Sequence, residues 1–228
     1  MSSRYRHEYK YLTDSVQEAI LLIRAEGLMA RDPHAGETGS YLVRSLYFDD
    51  PEDGCLWENE NGTDLRTKFR LRYYGTDSTS VCLEKKQKIH GMTAKESCPL
   101  SGQECILLTE GKIPEDVSGM PEQKQRMFLE MRLKGLEPKV IVTYERIPFI
   151  YPGGNVRVTF DRNISSSGET GRFLQGDYAV RPVLAQGTGV LEVKWDEVLP
   201  LHIKEAMGLD TLIWTAFSKY GMCRTYHL

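Results

Sequence analysis

The sequence predicts an α+β fold in which about eight β-strands form a barrel and helices lie between them. Polar and apolar residues alternate in segments along most of the chain, a period that is typical of half-buried strands. The helical segments are too irregularly spaced for repeated strand–helix–strand units, which favours a barrel over a doubly wound sheet. Since no shift in composition indicates a linker and no segment is repeated, residues 1–228 are expected to form one domain.

The alternating segments give the strands in chain order. Strands are predicted at residues 4–12, 41–48, 67–75, 80–88, 139–150, 155–162 and 189–198, and the turn at His90-Gly91 leads into a further segment at 93–101. The sequence Tyr-Pro-Gly-Gly-Asn at 151–155 predicts a hairpin turn. The polar, glycine-rich stretch at 165–176 is expected to be a surface loop.

Helices are predicted where the period changes to that of an amphipathic helix. These segments are residues 13–24, with Ser15 and Glu18 as a capping box and Gly27 as the C-terminal cap; 101–109, with Ser101 and Glu104 as a capping box; 121–134, which Gly135 ends; and the stretch from Pro200 onwards, with a break near Gly208. The tryptophans at positions 57, 195 and 214 are expected in the core.

The composition indicates an ordinary soluble protein of the cytoplasm, with 40% apolar and 27% charged residues. No apolar segment is long enough to span a bilayer, and the N-terminal segment lacks the apolar core of a secretory signal. Five cysteines without a Cys-x-x-Cys pair indicate reduced thiols rather than disulfides or a zinc site. The net charge of −3 argues against a nonspecific nucleic-acid binder.

The main functional signal is the placement of basic residues along single strand faces. One face of a predicted strand holds Arg66, Lys68, Arg70 and Arg72 with no carboxylate between them. Solvated strand faces normally mix charges of both signs, because neighbouring like charges repel each other. Such a face is therefore expected where a polyanion supplies the countercharge. Alternation alone does not distinguish a barrel lumen from a solvated outer face.

Short segments spread along the chain carry a resemblance to a known family. They are HEYKY (7–11), SLYFDD (45–50), KFRLRYYG (68–75), LEKK (83–86), YERIPF (144–149), VRVTFD (156–161), LEVK (191–194) and FSKY (217–220). In this order they resemble the polyphosphate polymerase domain of the vacuolar transporter chaperone (VTC) family, within the triphosphate tunnel metalloenzymes. The resemblance implies an eight-stranded antiparallel tunnel with flanking helices, whose inward basic side chains hold a polyphosphate chain.

The resemblance also implies roles for individual residues. Phosphate contacts are expected from Lys10, Arg66, Lys68, Arg70, Arg72, Lys86, Lys95, Arg146, Arg157, Lys194 and Lys219. Of these, Lys10, Arg70, Arg72, Lys86, Arg146, Arg157 and Lys219 are expected to take part in catalysis. Glu192 is expected to bind a divalent metal, Mn²⁺ or Mg²⁺, and Glu8 is a second candidate ligand. Lys219 is expected on a C-terminal helix at a tunnel mouth, and Asp161 is expected to hold an arginine.

The implied activity is transfer of the γ-phosphate of ATP onto a polyphosphate chain, helped by the divalent metal. Two alternatives remain open: hydrolysis of tripolyphosphate or nucleoside triphosphates, and a non-catalytic module that binds polyphosphate. The expected ligands are polyphosphate, tripolyphosphate or ATP, with no nucleic acid and no membrane span. A membrane-associated protein partner is left open.

Two departures from the family pattern bear on this interpretation. The cyclase and triphosphatase branch has two carboxylates in the first strand, whereas this chain has Arg6 at the first of those positions and only Glu8 at the second. This disfavours a two-metal hydrolase. Polymerase members also place basic residues after the Tyr-Phe-Asp segment, but here residues 56–61 read Leu-Trp-Glu-Asn-Glu-Asn. One end of the tunnel is therefore expected to differ.

Overall fold

The computed structural model describes residues 5–228 and contains one continuous antiparallel sheet. Its strands are β1 His7–Thr13, β2 Ala30–Arg31, β3 Tyr41–Asp49, β4 Arg66–Tyr74, β5 Cys82–Ile89, β6 Met92–Pro99, β7 Glu137–Tyr151, β8 Val156–Ser167, β9 Arg181–Pro182 and β10 Gly189–Trp195. The eight long strands follow the spatial order β1-β10-β8-β7-β3-β4-β5-β6, with the short β2 and β9 paired to β7 and β8. This confirms the predicted fold class.

The sheet curls until its first and last strands meet. Arg6 forms an antiparallel bridge with Thr93, in which each backbone N–H donates to the other carbonyl at 2.9 and 2.8 Å. Further along β1, Tyr11 pairs with Trp214, and the N–H of Thr215 donates to the carbonyl of Lys10 at 2.9 Å. Among the described residues, strand β6 pairs with this edge only at Arg6, and the segment around Trp214 pairs with the same edge further along, at Tyr11.

Residues 5–228 contain six α-helices: α1 Ser15–Leu28, α2 Gly54–Glu60, α3 Gly102–Thr109, α4 Glu122–Leu133, α5 Leu201–Ala206 and α6 Lys219–Thr225. Four of them, α1, α3, α4 and α5, pack on the outer face of the curled sheet. Helices α1 and α5 bury residues such as Leu21 and Ile203 against Val158 of β8 and the apolar face of β10. Helices α3 and α4 do the same against β3, β4 and β5, where Phe69 lies in the core. These contacts take the apolar face of each strand out of water.

Two short helices lie on the inner side of the sheet instead. Leu56 of α2 and Tyr220 of α6 pack with Val43, Val140 and Val142, which are inward positions of β3 and β7. The carboxylate of Asp49, at the end of β3, is fully buried between the two helices. It accepts the backbone N–H groups of Cys55 and Leu56 at 2.8 and 3.1 Å and the hydroxyl of Tyr220. One part of the barrel interior is therefore apolar, and the remainder is polar.

The ends of several elements differ from the sequence predictions. Helix α1 is capped by Asp14, which accepts the N–H groups of Val16 and Gln17, and Gln17 completes the capping box; the predicted capping residue Ser15 is instead the first residue of the helix. The helix continues through Gly27, which is therefore not its C-terminal cap. By contrast, the capping box predicted for α3 is present.

Two segments differ from their predicted secondary structure because they pair with strands of the sheet. The predicted loop at 165–176 begins as strand, since Ser165 and Ser166 pair with both β7 and β9. The predicted C-terminal helix is divided into α5 and α6 by the segment that pairs with β1. Of the three tryptophans, only Trp195 is buried, whereas Trp57 and Trp214 are about half exposed. Within residues 5–228, no helix combines the length and the apolar character needed to cross a bilayer.

We expect Asp49→Asn to lower the free energy of unfolding by about 2 kcal/mol, because the amide cannot accept at all the positions where the carboxylate does. Urea unfolding of the two proteins measures the difference. Asp116→Asn is the matched control, since that carboxylate lies in an exposed loop and accepts from the neighbouring Ser118. Equal unfolding midpoints for all three proteins would contradict the structural role given to Asp49.

Candidate functional site

The polar part of the barrel interior is a lumen formed by three adjoining cavities of about 300, 80 and 80 Å³. All the residues predicted for the site line it: Glu8, Lys10, Arg66, Lys68, Arg70, Arg72, Lys86, Lys95, Arg146, Arg157, Glu192, Lys194 and Lys219. They come together because side chains at alternate strand positions point to the same face of the sheet. The basic strand faces are therefore directed into the lumen rather than outward.

A buried group of four charges lies at the centre of this lumen. Arg146 donates through Nε and Nη2 to the two carboxylate oxygens of Asp161 at 2.6 and 2.7 Å. The Nζ of Lys219 lies 2.7 Å from Asp161 and 2.6 Å from Glu192. Glu192 also contacts Arg146 at 3.5 Å. Asp161 thus holds an arginine, as predicted, whereas Lys219 is only 7% exposed and lies inside the lumen rather than at its mouth.

The charges in this central group stabilise one another's ionised forms. Burial alone would raise the pKa of Glu192, but four cations, with Lys194 and Lys219 the strongest, hold that pKa well below its usual range. Burial would likewise lower the pKa of Lys219, but Asp161 and Glu192 outweigh it and raise the pKa. Both groups are therefore charged at neutral pH.

A third carboxylate, Glu8, is held by three lysines. Lys86 donates to its two oxygens at 3.0 and 2.9 Å, Lys10 lies at 3.2 Å and Lys194 at 3.7 Å. Lys194 also contacts Glu192 at 3.0 Å, and Lys10 approaches it to 4.0 Å. Lysines therefore bridge the two carboxylates that the sequence predicts as metal ligands.

A fourth carboxylate, Glu84, was not among the predicted site residues. Its oxygens lie 2.6 Å from Arg70 Nη2, 3.8 Å from Arg72 Nη1 and 2.9 Å from Lys95 Nζ. Burial opposes its ionisation, but these three cations hold its pKa below the usual range. The alternation of β5 places Glu84 on the same face as Lys86. From this pattern Glu84 could have been predicted to face the lumen.

Two tyrosine hydroxyls also accept hydrogen bonds from the lumen arginines. Arg70 donates to Tyr47 at 2.8 Å, and Arg72 donates to Tyr144 at 3.2 Å. Burial would raise the pKa of Tyr47, but Arg70 and Arg72 outweigh it and lower that pKa. These hydrogen bonds hold the arginine side chains in position in the lumen.

Two lysines in the lumen have too few carboxylate partners to offset the lowering of their pKa by burial. Lys68 donates to the side chains of Asn59 and Ser218 at 3.2 and 2.9 Å, and both of these partners are neutral. Burial and the neighbouring Lys10 lower the pKa of Lys68 to about 7. Burial also lowers the pKa of Lys86 to about 7, despite its contact with Glu8. In the ligand-free protein both side chains are therefore only partly protonated near neutral pH.

The remaining predicted residues lie towards the two ends of the lumen. The cavity of about 300 Å³ forms its wide end, and the cavity of about 80 Å³ that Arg66 lines forms its narrow end. Arg157 lies at the wide end, where its Nη2 donates to Asp32 at 2.6 Å. Arg66 lies at the narrow end and donates to the backbone carbonyl of Asn59 at 3.3 Å. Lys88, which was not predicted for the site, also lines the narrow end.

The two departures from the family pattern lie at opposite ends of the lumen. Arg6 lines the wide end and contacts Asp196 at 2.9 Å, so the first strand contributes a cation where a carboxylate would otherwise be. At the narrow end, residues 56–61 largely coincide with α2, and Asn59 contacts Arg66 and Lys68. Helix α2 therefore borders the narrow end of the lumen, where the sequence predicts a difference from the family pattern.

The carboxylates of Glu8 and Glu192 have the chemistry of a site for a hard divalent cation. Within residues 5–228, no cluster of three or more acidic, histidine or cysteine side chains is suited to hold a metal. Two carboxylates are sufficient for Mg²⁺ or Mn²⁺ when phosphate oxygens and waters complete the coordination. The residues therefore fit a metal that binds together with a phosphate ligand.

Comparison with known proteins identifies the fold and the family. The VTC domain family model matches residues 5–227. A putative adenylate cyclase from Bacillus halodurans is 15% identical, with a TM-score of 0.51 over 92% of this chain and 89% of that chain. Another from Vibrio parahaemolyticus is 11% identical, with a TM-score of 0.51 over 97% and 98%. At these identities the likeness shows the fold alone. No curated protein matches this sequence.

We expect Lys219→Met to lower the free energy of unfolding by about 3 kcal/mol, because it leaves two buried carboxylates short of a partner. Urea denaturation measures the change. Lys204→Met is the matched control, since that lysine pairs with Asp210 on the surface. A similar effect of the two substitutions would contradict a central role for Lys219 in the charge balance.

We expect sulfate to bind more weakly as the pH rises from about 7 to about 9, because bound anions raise the pKa of nearby lysines. Below the free-state pKa of about 7, Lys68 and Lys86 are already protonated. Above it, each must take up a proton when the anion binds, and sulfate itself does not titrate in this range. Calorimetry in two buffers with different ionisation enthalpies measures the uptake.

Lys68→Met should reduce the number of protons taken up with sulfate, because it removes one of the two titrating groups. Lys85→Met is a suitable control, since that side chain lies on the outer face of β5 and pairs with Glu130. Binding that tightens with rising pH, or that takes up no protons above about pH 8, would contradict the assignment of Lys68 and Lys86.

Proposed function

We propose that this chain, which belongs to the VTC domain family, is a polyphosphate polymerase-like phosphotransferase. It would transfer the γ-phosphate of ATP onto a polyphosphate chain held in the lumen. The proposal rests chiefly on one observation. Buried arginines and lysines converge from several strands on a central carboxylate, Glu192, and together they outnumber the carboxylates of the lumen.

The lumen cations are suited to bind a chain of phosphates. Arg70, Arg72 and Arg146 present planar guanidinium groups that can each take two phosphate oxygens, whereas Lys10 and Lys219 act as compact charges. Several of these groups now pair with carboxylates inside the lumen. A phosphate chain would add acceptors to cations that are already held in position, so little ordering would accompany binding.

A divalent metal would be held by Glu192 and Glu8 together with phosphate oxygens. When bound, it would withdraw charge from the oxygens of the transferred phosphate. Lys194 and Lys10 contact both carboxylates and would keep them ionised and oriented. The single carboxylate of β1, with Arg6 in place of another, favours this arrangement over a two-metal hydrolase.

The transfer step needs no general base from the protein. The terminal phosphate of the acceptor chain presents an anionic oxygen, which forms the new bond to the γ-phosphorus of ATP. The bond from that phosphorus to the bridging oxygen of the β-phosphate breaks, and its electron pair leaves on ADP. Positioning and charge neutralisation are the main requirements of this chemistry. Lys219 and Arg146, at the centre of the lumen, would supply the neutralisation.

We expect the purified protein to extend a phosphate chain when it is incubated with ATP and Mn²⁺, with products resolved by length. Glu192→Gln should lower the rate about a hundredfold, the typical cost of removing one preorganised charge-stabilising group. Glu96→Gln is the matched control, since this carboxylate lies on the neighbouring outer face and contacts Arg126. It should leave the rate unchanged.

The other outcomes of this assay identify the alternatives. Release of orthophosphate from tripolyphosphate without chain growth would contradict the polymerase and support a hydrolase. Tight binding of tripolyphosphate without any turnover, and with affinity retained in Glu192→Gln, would contradict both and support a binding module.

A further inference from the structure

A separate cavity of about 720 Å³ adjoins the wide end of the lumen. Its walls are the residues Asp32, Pro33, His34, Tyr41, Tyr74, Gly75, Ile150 and Arg157. We refer to it as the Tyr41–Tyr74 cavity. Its volume lies within the range of about 300–1,000 Å³ that is common for small-molecule sites.

The walls of the Tyr41–Tyr74 cavity differ in chemistry from the lumen. Tyr41 and Tyr74 meet edge to face, with ring centroids 5.5 Å apart and an interplanar angle of 87°. Pro33 and Ile150 add aliphatic surface. A chain of phosphates has no apolar part that could use such a surface. A ligand that fills both spaces must therefore have an aromatic or apolar part next to its anionic part.

Three side chains connect the cavity to the lumen, because Tyr41, Tyr74 and Arg157 line both. Arg157 Nη2 donates to Asp32 at 2.6 Å and to the hydroxyl of Tyr41 at 3.4 Å. The Nε of Arg157 is buried and makes no hydrogen bond within residues 5–228. An unpaired donor therefore lies at the point where the apolar cavity gives way to the basic lumen.

The polar groups of the cavity are fixed in place. Asp32 is 6% exposed, and its Oδ1 accepts the backbone N–H of His34 at 3.0 Å and lies 2.7 Å from the ring Nδ1 of the same residue. Its other oxygen holds Arg157. The histidine ring is largely exposed and lines the cavity. A few fixed polar groups on mainly apolar walls are typical of small-molecule sites.

We propose that the Tyr41–Tyr74 cavity binds the base and ribose of a nucleoside triphosphate whose phosphates occupy the lumen. The proposal rests on the proposed function only in requiring that the lumen holds a triphosphate. The aromatic walls provide stacking surface for a base, and Arg157 lies where the nucleoside joins its phosphates. The cavity thereby distinguishes a nucleotide donor from an inorganic phosphate chain, which the lumen alone cannot do.

Calorimetric titration with ATP and with tripolyphosphate tests this proposal directly. Tyr74→Ala should weaken ATP binding about tenfold, because stacking a base on an aromatic side chain contributes that order of affinity. The same substitution should change the affinity for tripolyphosphate less than about twofold, since that ligand has no base. Tyr74 is 49% exposed, so its truncation is not expected to unfold the barrel.

Two further variants sharpen the comparison. Tyr74→Phe keeps the ring and should retain the affinity for ATP. Tyr9→Ala is the matched control, since Tyr9 is 45% exposed and packs against Trp195 on the outer face of the sheet. It should leave both affinities unchanged.

The outcomes separate this inference from the proposed function. If Tyr74→Ala weakens both ligands equally, or neither, the nucleoside site is overturned while triphosphate binding in the lumen stands. If tripolyphosphate does not bind the unaltered protein, both proposals are overturned. If ATP binding depends on Tyr74 but no chain grows in the product assay, the nucleoside site is supported and the polymerase activity is rejected.

Discussion

Charge balance inside the barrel is the constraint on which the rest of the structure depends. Buried ions are costly unless they are paired, and this lumen contains more cations than carboxylates. Each lumen carboxylate contacts two or more cations, so a few carboxylates pair with a larger number of basic side chains. These carboxylates are Glu8, Glu84, Asp161 and Glu192. Burial, together with the neighbouring Lys10, lowers the pKa of Lys68 and Lys86 to about 7 because too little negative charge lies near them. Ligand-free, the lumen is therefore an incompletely neutralised cavity suited to an anion.

Much of the fold and of the site could be predicted from the sequence, because a strand places every second side chain on the same face. This rule was sufficient to group Arg66 with Arg72 and Glu192 with Lys194. It could not show that Glu84 would form ion pairs with Arg70 and Lys95, because such contacts depend on the register between neighbouring strands. Helix α2 was missed, since its anchor, Asp49, belongs to the preceding strand rather than to the local sequence.

The ends of the lumen differ in a way that bears on how a ligand would lie in it. The narrow end is bordered by α2 and by the start of α6, where Asn59 and Ser218 offer neutral partners to Lys68. The wide end opens beside the apolar Tyr41–Tyr74 cavity. A molecule with one apolar end and one anionic end would fit this asymmetric space in one orientation only, with its anionic end towards Arg146 and Lys219 at the centre of the lumen.

The segment that leads into α6 has a consequence for biosynthesis. Thr215 pairs with β1, and four residues later Lys219 reaches Asp161 and Glu192, so this segment both borders the edge of the sheet and completes the central charge group. All the strands precede it in the chain and therefore leave the ribosome first. Until this segment docks, Asp161 and Glu192 each lack one of their cation partners. The lumen therefore reaches its final charge balance only after the segment has left the ribosome and packed on the barrel.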